Sequence, residues 1–452
     1  MISQIPLEMK ASFKELKISS HLKAANITKS KGLSALRTFT LLFLLTFQKQ
    51  TWFEQKFMSK NSDKSETGKD IAYRFLNTST FNWKKFLLLL ACQLVNICSR
   101  LTSNDRLKVL VLDDTLYSRD RSKKVELLSK VFDHTTRKNF KGFQCLTLGW
   151  TDGATFVPVN FSLIASVKHL INGISEGIDK RTSGYKRRLE ALETKPAMAA
   201  KLIKEVLAFG VRASYVLMDT WFTEEPLIKN ILEQGLDVIG MAKRGVRRQY
   251  WFNGKKYTLD QLMSKCNRNK KSTAIIGSLH VTMTSETTPV KVVFIRHRSN
   301  PNKWLAILST DQSLSDEEIV RIYGYRWNIE VFFKTNKSHL NLAKEFQCRS
   351  YDALIAHTTI VFSRYIFLAW EQRKNNDDKT LGYLFFEFGE DVQEIDFKEA
   401  LLSLMNFVLN IINSDVQEIV INVAAFKNAV LAWISTLPTY LQRLLDVQIP
   451  FS

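Results

Sequence analysis

The chain reads as a mixed α/β protein, a central sheet domain carrying a β-rich insertion, with helical regions on both flanks. Three observations lead there. Residues 1–105, and again those from about 350 onward, place apolar side chains at helical spacing. Between these flanks, from residue 108, short apolar runs that end in acids alternate with helical stretches, the pattern of a mixed sheet. Residues 242–310 break that alternation with strand-like, strongly basic pieces and little helical periodicity.

Composition narrows the class. With 452 residues, 45% hydrophobic and 11% aromatic, the chain can bury a substantial core and is globular rather than disordered. A formal net charge of +20 calls for a polyanionic partner, nucleic acid first and an anionic membrane surface second. The charge is unevenly spread. Residues 1–105 hold 16 Lys+Arg against 7 Asp+Glu, and residues 242–303 hold 14 against 2, so both are candidates to face DNA. Residues 346–452 hold 8 against 13, which suits protein–protein contact or internal packing. The runs Leu41–Phe47 and Phe86–Val95 are about half the roughly 20 residues a bilayer span needs, so they are expected as buried helices and no membrane association is expected. MISQIPLEMK lacks the charged start and apolar centre of a signal peptide. Cys92, Cys98, Cys145, Cys266 and Cys348 are odd in number and scattered, as reduced thiols in a cytoplasm would be.

The elements follow in order. Residues 1–105 form a helical region with one polar break, SKNSDKSETGKD at 59–70. KVLVLDDT (108–115) is a buried strand ending in two aspartates. GFQCLTLGW (142–150) and ATFVPVNFSLIAS (154–166) make a hairpin about the turn TDG. Lys195 to Gly210 suits a helix with Pro196 at its start. SYVLMDTWF (214–222) is another strand ending in an acid, followed by a helix over Glu224–Gln234 and the strand LDVIGMA. The central domain is set at 106–345, with an insertion at 242–310 built from QYWFNGKKYTL, TAIIGSLHVTM, VKVVFIRHR and KWLAILST. Ser313–Ser315 can cap one long helix that carries RIYGYRWNIEVFFKTNK. Residues 346–452 are helical again and are the candidate dimerisation region.

That long helix holds the most informative pattern. At 100° per residue, Tyr323, Arg326, Glu330 and Lys337 fall within an arc of about 60°. Ile322, Ile329, Phe333 and Leu340 form an apolar stripe beside them. Asp113 and Asp219 end predicted strands, and ligands of α/β sheets gather at strand carboxyl ends. Three carboxylates suit Mg²⁺, or Mn²⁺, and two such ions can activate a water or a 3′-hydroxyl for phosphodiester chemistry. Arg326 and Lys337 would clamp the phosphates, the arginine in bidentate fashion. Taken singly, each residue has a plainer reading. A strand-end aspartate can cap a turn, Glu330 can pair with Lys334 at i+4, and Tyr323 can be a core-edge aromatic. The histidines show no metal spacing; His134 lies in a basic aromatic stretch, FDHTTRKNFKGF.

The order Asp–Asp–Glu, with Tyr323-x2-Arg326-x3-Glu330-x6-Lys337, resembles the DDE transposases of bacterial insertion sequences that carry the YREK signature. The resemblance spans about residues 108–345. It implies a ribonuclease-H-like fold with a β-rich insertion between the second aspartate and the glutamate, for which the 111-residue gap from Asp219 to Glu330 has room. It also implies that Asp113, Asp219 and Glu330 bind two divalent metals and that Tyr323, Arg326 and Lys337 contact the transposon end. Within the doublet Asp113–Asp114, the family pattern of acid, small residue, then threonine favours Asp113, with Thr115 in the last place. A tryptophan of the family's insertion holds a flipped base, and Trp304 stands about where it should; its other reading is a strand core residue. Lys243, Arg244, Arg247 and Arg248 suit phosphate contacts by charge.

The expected activity is cut-and-paste transposition: binding of terminal inverted repeats by the N-terminal region, metal-dependent cleavage, and joining of 3′-hydroxyls to target DNA. Cutting and joining in trans requires at least a homodimer, in the bacterial cytoplasm at the nucleoid. A ribonuclease-H-like structure-specific endonuclease is the enzyme alternative, and a catalytically inert, transposase-derived DNA-binding regulator the non-enzyme one.

Overall fold

The computed structural model describes residues 5–54, 70–103, 106–133, 136–268, 272–297, 300–374, 379–414, 428 and 432–433. Most of the polar break at 59–70, His134, and the chain beyond 414 apart from three residues lie outside the described residues. Helices α1 (Leu7–Glu15), α2 (Ile18–Ala24), α3 (Ala35–Leu44) and α4 (Ile71–Leu76) precede the long α5 (Trp83–Leu101). Strands β1 (Val109–Ser118), β2 (Ser129–Asp133), β3 (Lys138–Thr151) and β4 (Phe156–Ile164) follow, then α6 (Ser183–Ala191), α7 (Lys195–Ala208), β5 (Tyr215–Met218), α8 (Glu225–Glu233) and β6 (Asp237–Met241). The basic stretch contributes β7 (Gln249–Phe252), β8 (Lys255–Thr258), α9 (Leu259–Lys265), β9 (Asn267–Arg268), β10 (Ile275–Thr282), β11 (Pro289–His297) and β12 (Asn300–Ser309). Helices α10 (Asp316–Gly324), α11 (Trp327–Ser338), α12 (Tyr351–Lys374) and α13 (Leu381–Ser414) complete the described elements.

The chain divides into two compact units, residues 84–335 and residues 1–83 with 336–452. This division departs from the sequence boundaries, because the two helical flanks fall in one unit while nearly all of α5 goes with the sheet. In the sheet unit, β4, β3 and β1 pair antiparallel, and β1, β5 and β6 pair parallel, giving the order β4-β3-β1-β5-β6. Three antiparallel strands continued by two parallel ones is the ribonuclease-H-like arrangement, and the fold is mixed α/β with flanking helices. β2 takes the first part of the outer edge of β3, and β4 takes the rest. Neither β2 nor α6 is anticipated by sequence periodicity.

The 242–310 stretch is β-rich, but it does not close on itself. Its last strand, β12, pairs antiparallel with β6, Ile307 opposite Met241, and β11 and β10 add on beyond it. One continuous sheet of 12 strands results among the described residues. β12 therefore covers what would otherwise be the open edge of β6, satisfying its backbone donors and acceptors.

The helical unit is organised on α12, whose residues Tyr351–Glu371 are all buried. This helix is long and apolar enough to cross a membrane, yet its apolar window is wholly covered by the surrounding chain. Its one central cation, Arg364, makes a bidentate pair with Glu345 (2.9 Å to each oxygen) and donates to the carbonyls of Phe43, Leu42 and Leu340. A buried charge this fully partnered is tolerated where a lone one is not.

Candidate active site

The two aspartates are brought together by strand register. β1 and β5 run parallel up to the pair Leu112–Met218, and Asp113 and Asp219 are the next residues on each chain. Neighbouring strands lie about 4.8 Å apart, so the carboxylates start from adjacent positions. β1 does not end at its acids as the apolar run suggests. It continues to Ser118 against β3, so Asp113 marks only the end of the parallel part. Asp219 begins a tight turn in which its Oδ1 accepts from the backbone N–H groups of Trp221 (2.9 Å) and Phe222 (3.2 Å).

Alternation along β1 separates the acidic doublet. Asp113 Oδ2 accepts from Arg326 Nη1 at 3.2 Å, while its Oδ1 accepts from the Asp114 N–H at 2.8 Å. Asp114 is engaged elsewhere, with both oxygens 3.3 Å from Lys195 Nζ. The Lys195 ammonium also lies 3.7 Å from the ring centroid of Trp221, a cation–π contact. Lys195 and Trp221 went unnoticed in the sequence. Trp221 stands two residues after Asp219, whereas nothing in the local pattern marks Lys195.

The third acid arrives on a helix that is broken. The capping box of Ser315 and Glu318 opens α10 as the sequence suggests. The single long helix expected there is instead two, because the chain tightens at Tyr325–Arg326. The Tyr325 N–H bonds the Ile322 carbonyl and the Arg326 N–H the Tyr323 carbonyl, both at 3.0 Å and three residues back. The turn after β3 is packed against this kink. Asn328 Nδ2 donates to Thr151 Oγ1 at 3.2 Å, and Gly153, at φ +88°, lies so close that a Cβ there would sit 2.8 Å from Tyr325 Cζ. Within the turn, buried Asp152 accepts from the N–H groups of Ala154 and Thr155.

Despite the kink, the patterned face survives. Arg326 pairs with Glu330 one turn on and lies 5.8 Å from the ring centroid of Tyr323. Glu330 thus pairs backward with Arg326 rather than forward with Lys334. Ile322, Ile329, Phe333 and Leu340 are all buried, as their spacing requires. Lys337 is half-buried on α11, seven residues beyond Glu330.

The electrostatics are those of crowded acids. Burial, and then the charge of Asp219, push the Asp113 carboxyl up to about 7, with Arg326 and the Asp114 N–H opposing. Burial also raises the Tyr323 hydroxyl to about 12, so it stays a hydrogen-bond donor at neutral pH. Burial disfavours the Arg326 charge, but Tyr323, Asp113 and Glu330 outweigh it and hold its pKa above the ordinary arginine value.

The basic insertion residues stand apart. Trp304 is 8% exposed, its face covered by the Arg244 guanidinium at 4.1 Å and its neighbour Phe294 edge-on at 5.4 Å. Arg244 pairs with Asp260 and Arg248 with Glu224, while Lys243 and Arg247 are exposed in the loop after β6. Among the described residues, no hydrogen bond or ion pair joins Trp304, Lys243 or Arg244 to the three acids.

Whether the acids suit a divalent cation is answered by their surroundings. Among the described residues, no three acids, histidines or cysteines stand close enough together to ligate one. Yet Asp113 is buried beside a second carboxylate, and Arg326 already supplies a positive charge to both Asp113 and Glu330. A pair of repelling carboxylates is what a hard cation neutralises while keeping its other places for water and phosphate, and Asp113 with Asp219 fits that description.

Two family models match the chain. "DDE superfamily endonuclease" matches residues 44–252, which include Asp113 and Asp219, and "Transposase DDE domain" matches residues 193–367, which include Asp219 and Glu330. No curated protein matches. Among solved structures, the chain is similar to a piggyBac transposase synaptic complex with hairpin DNA, at 12% identity over 87% of this chain and 81% of that one, with a TM-score of 0.46. A Drosophila P element transposase strand transfer complex is matched at 9% identity over 87% of this chain and 92% of that one, with a TM-score of 0.20. The two family matches overlap across the second acid and together span all three acids.

Proposed function

We propose that this chain is the transposase of a bacterial insertion sequence of the YREK group, cutting its element's ends and joining them to target DNA. Asp113, Asp219 and Glu330 would hold the divalent ions, Mg²⁺ or Mn²⁺ and two in number. Bound there, such ions activate the attacking hydroxyl and stabilise the leaving oxygen of a phosphodiester. The chain's own groups do the rest. Arg326 and Lys337 pair with phosphates flanking the scissile bond, and Tyr323 donates its retained hydroxyl proton to a phosphate or sugar oxygen. Trp304 would take a displaced base only after Arg244 swings off its face, which frees that guanidinium for the backbone. The N-terminal helical region, at 16 Lys+Arg against 7 Asp+Glu, reads the terminal repeats, and the protein works as a dimer in the bacterial cytoplasm.

The observation carrying this reading is that Arg326 joins Asp113 and Glu330, from a strand and a helix far apart in the chain, with Asp219 at the adjacent strand end near enough to act on the Asp113 carboxyl. Asp113→Asn, Asp219→Asn and Glu330→Gln are each expected to abolish Mg²⁺-dependent cleavage of the element's terminal DNA while leaving binding to that DNA within about threefold, since an isosteric swap removes the charge that holds metal but keeps the side chain's shape. Cleavage at the wild-type rate in any of the three would remove that residue from the site. Absence of inverted repeats on either side of the coding sequence would favour the endonuclease instead.

A further inference from the structure

The Arg326 guanidinium reaches Asp113 Oδ2 at 3.2 Å with one nitrogen and pairs with Glu330 through the other. It is held there firmly. Its side chain is 17% exposed, it packs by the Tyr323 ring, and it sits in the kink clamped through Tyr325 and Asn328 to the turn after β3. Two of the three carboxylates proposed to hold metal therefore already share one positive charge from a side chain of the same protein. A planar guanidinium with two nitrogens on two carboxylates fills the role a cation would take between them.

We propose that Arg326 competes with a divalent cation for Asp113 and Glu330, that binding of the cation displaces it from them, and that the displaced guanidinium is then released to a DNA phosphate. The inference rests on the metal-binding reading above and adds its regulation. It follows from charge balance alone. Asp113, Asp219 and Glu330 carry at most three negative charges, and Arg326 offsets one of them at contact distance. A metal entering while Arg326 stays in place meets a cation beside its own ligands. A metal entering as Arg326 leaves meets bare carboxylates. A phosphate that accepts the guanidinium therefore favours metal loading, and bound metal favours phosphate, because the coupling is reciprocal. The site would bind metal more weakly until DNA arrives, which disfavours cleavage away from the proper substrate.

The test is Mn²⁺ binding to the full chain, followed by calorimetry and by the electron paramagnetic resonance signal of free ion, without DNA. Arg326→Gln is expected to bind Mn²⁺ about fivefold more tightly or better, within the usual range of coupling between competing ligands. Lys195→Gln is the control, since it removes the same charge from Asp114, the neighbouring carboxylate that faces away. It is expected to leave the affinity within about twofold, because a screened charge one contact further away acts weakly. Arg326→Lys keeps the charge but loses the planar fork that puts separate nitrogens on the two carboxylates, so it should fall between wild type and Arg326→Gln; it carries the test if Arg326→Gln fails to fold. Equal affinity in wild type and Arg326→Gln overturns the proposal, as does an equal gain in Lys195→Gln. Either result leaves the metal-binding reading standing. Mn²⁺ binding that survives Asp113→Asn together with Glu330→Gln in the Arg326→Gln background would place the metal elsewhere and sink both.

Discussion

Arg326 and Asp113 lie 213 positions apart in the chain, yet Nη1 of the one is 3.2 Å from Oδ2 of the other. The contact offsets only part of the cost of burying Asp113 beside Asp219, and its carboxyl titrates near 7 rather than at the ordinary 3.8. Native protein therefore holds a proton on Asp113 between those values that the unfolded chain has lost. Stability should fall as pH rises through this window and level off above it, by an amount on the order of 4 kcal/mol. Chemical denaturation of wild type and Asp113→Asn from pH 4 to pH 8 checks this. The difference between them should carry the slope, and parallel curves would show that Asp113 is not the titrating group.

The acidic doublet gives a second contrast. Asp113→Asn should lose strand cleavage, whereas Asp114→Asn should retain it within about tenfold and cost about 1 kcal/mol of stability, the scale of a partly exposed ion pair. Cleavage rates on one DNA substrate, with melting temperatures alongside, decide it. The reverse pattern would reassign the first acid to the residue paired with Lys195.

Gly153 supports the kink that delivers Arg326. Alanine there would adopt a left-handed backbone, costing about 1–2 kcal/mol, and would press its methyl into the Tyr325 ring. Gly153→Ala should lower the melting temperature and the cleavage rate together while leaving DNA affinity nearly unchanged. Gly153→Ala combined with Tyr325→Ala, which removes the ring 2.8 Å from the added methyl, should recover part of the rate relative to Tyr325→Ala alone. No recovery would mean that the backbone rather than the ring contact is at fault.

In the helical unit, Arg364→Met should destabilise by about 3–5 kcal/mol, because it strands the Glu345 carboxylate in a core without solvent. Burial holds that carboxyl above the ordinary glutamate range even with Arg364 present. Replacing both residues, Arg364→Met with Glu345→Gln, should be milder than the single change. Denaturant unfolding of the three proteins provides the comparison.

The sequence by itself determined whatever depends on neighbours along the chain. Period and turn chemistry placed the strands that lead into Asp113 and Asp219, the Ser315 cap, the apolar stripe through Ile322 and Phe333, and the polar face holding Tyr323, Arg326 and Glu330. Only the tertiary structure decided what depends on pairing across distance. The parallel register of β1 with β5 set the two aspartates side by side, and the alternation of β1 turned Asp113 to Arg326 and Asp114 to Lys195. Pairing of β12 with β6 made the basic insertion an extension of the sheet, and packing of Gly153 against Tyr325 broke a helix that local spacing reads as continuous. Helical and strand periods are local properties of the backbone, whereas register and ion pairing are chosen by the burial and charge of residues that meet only after the chain has folded.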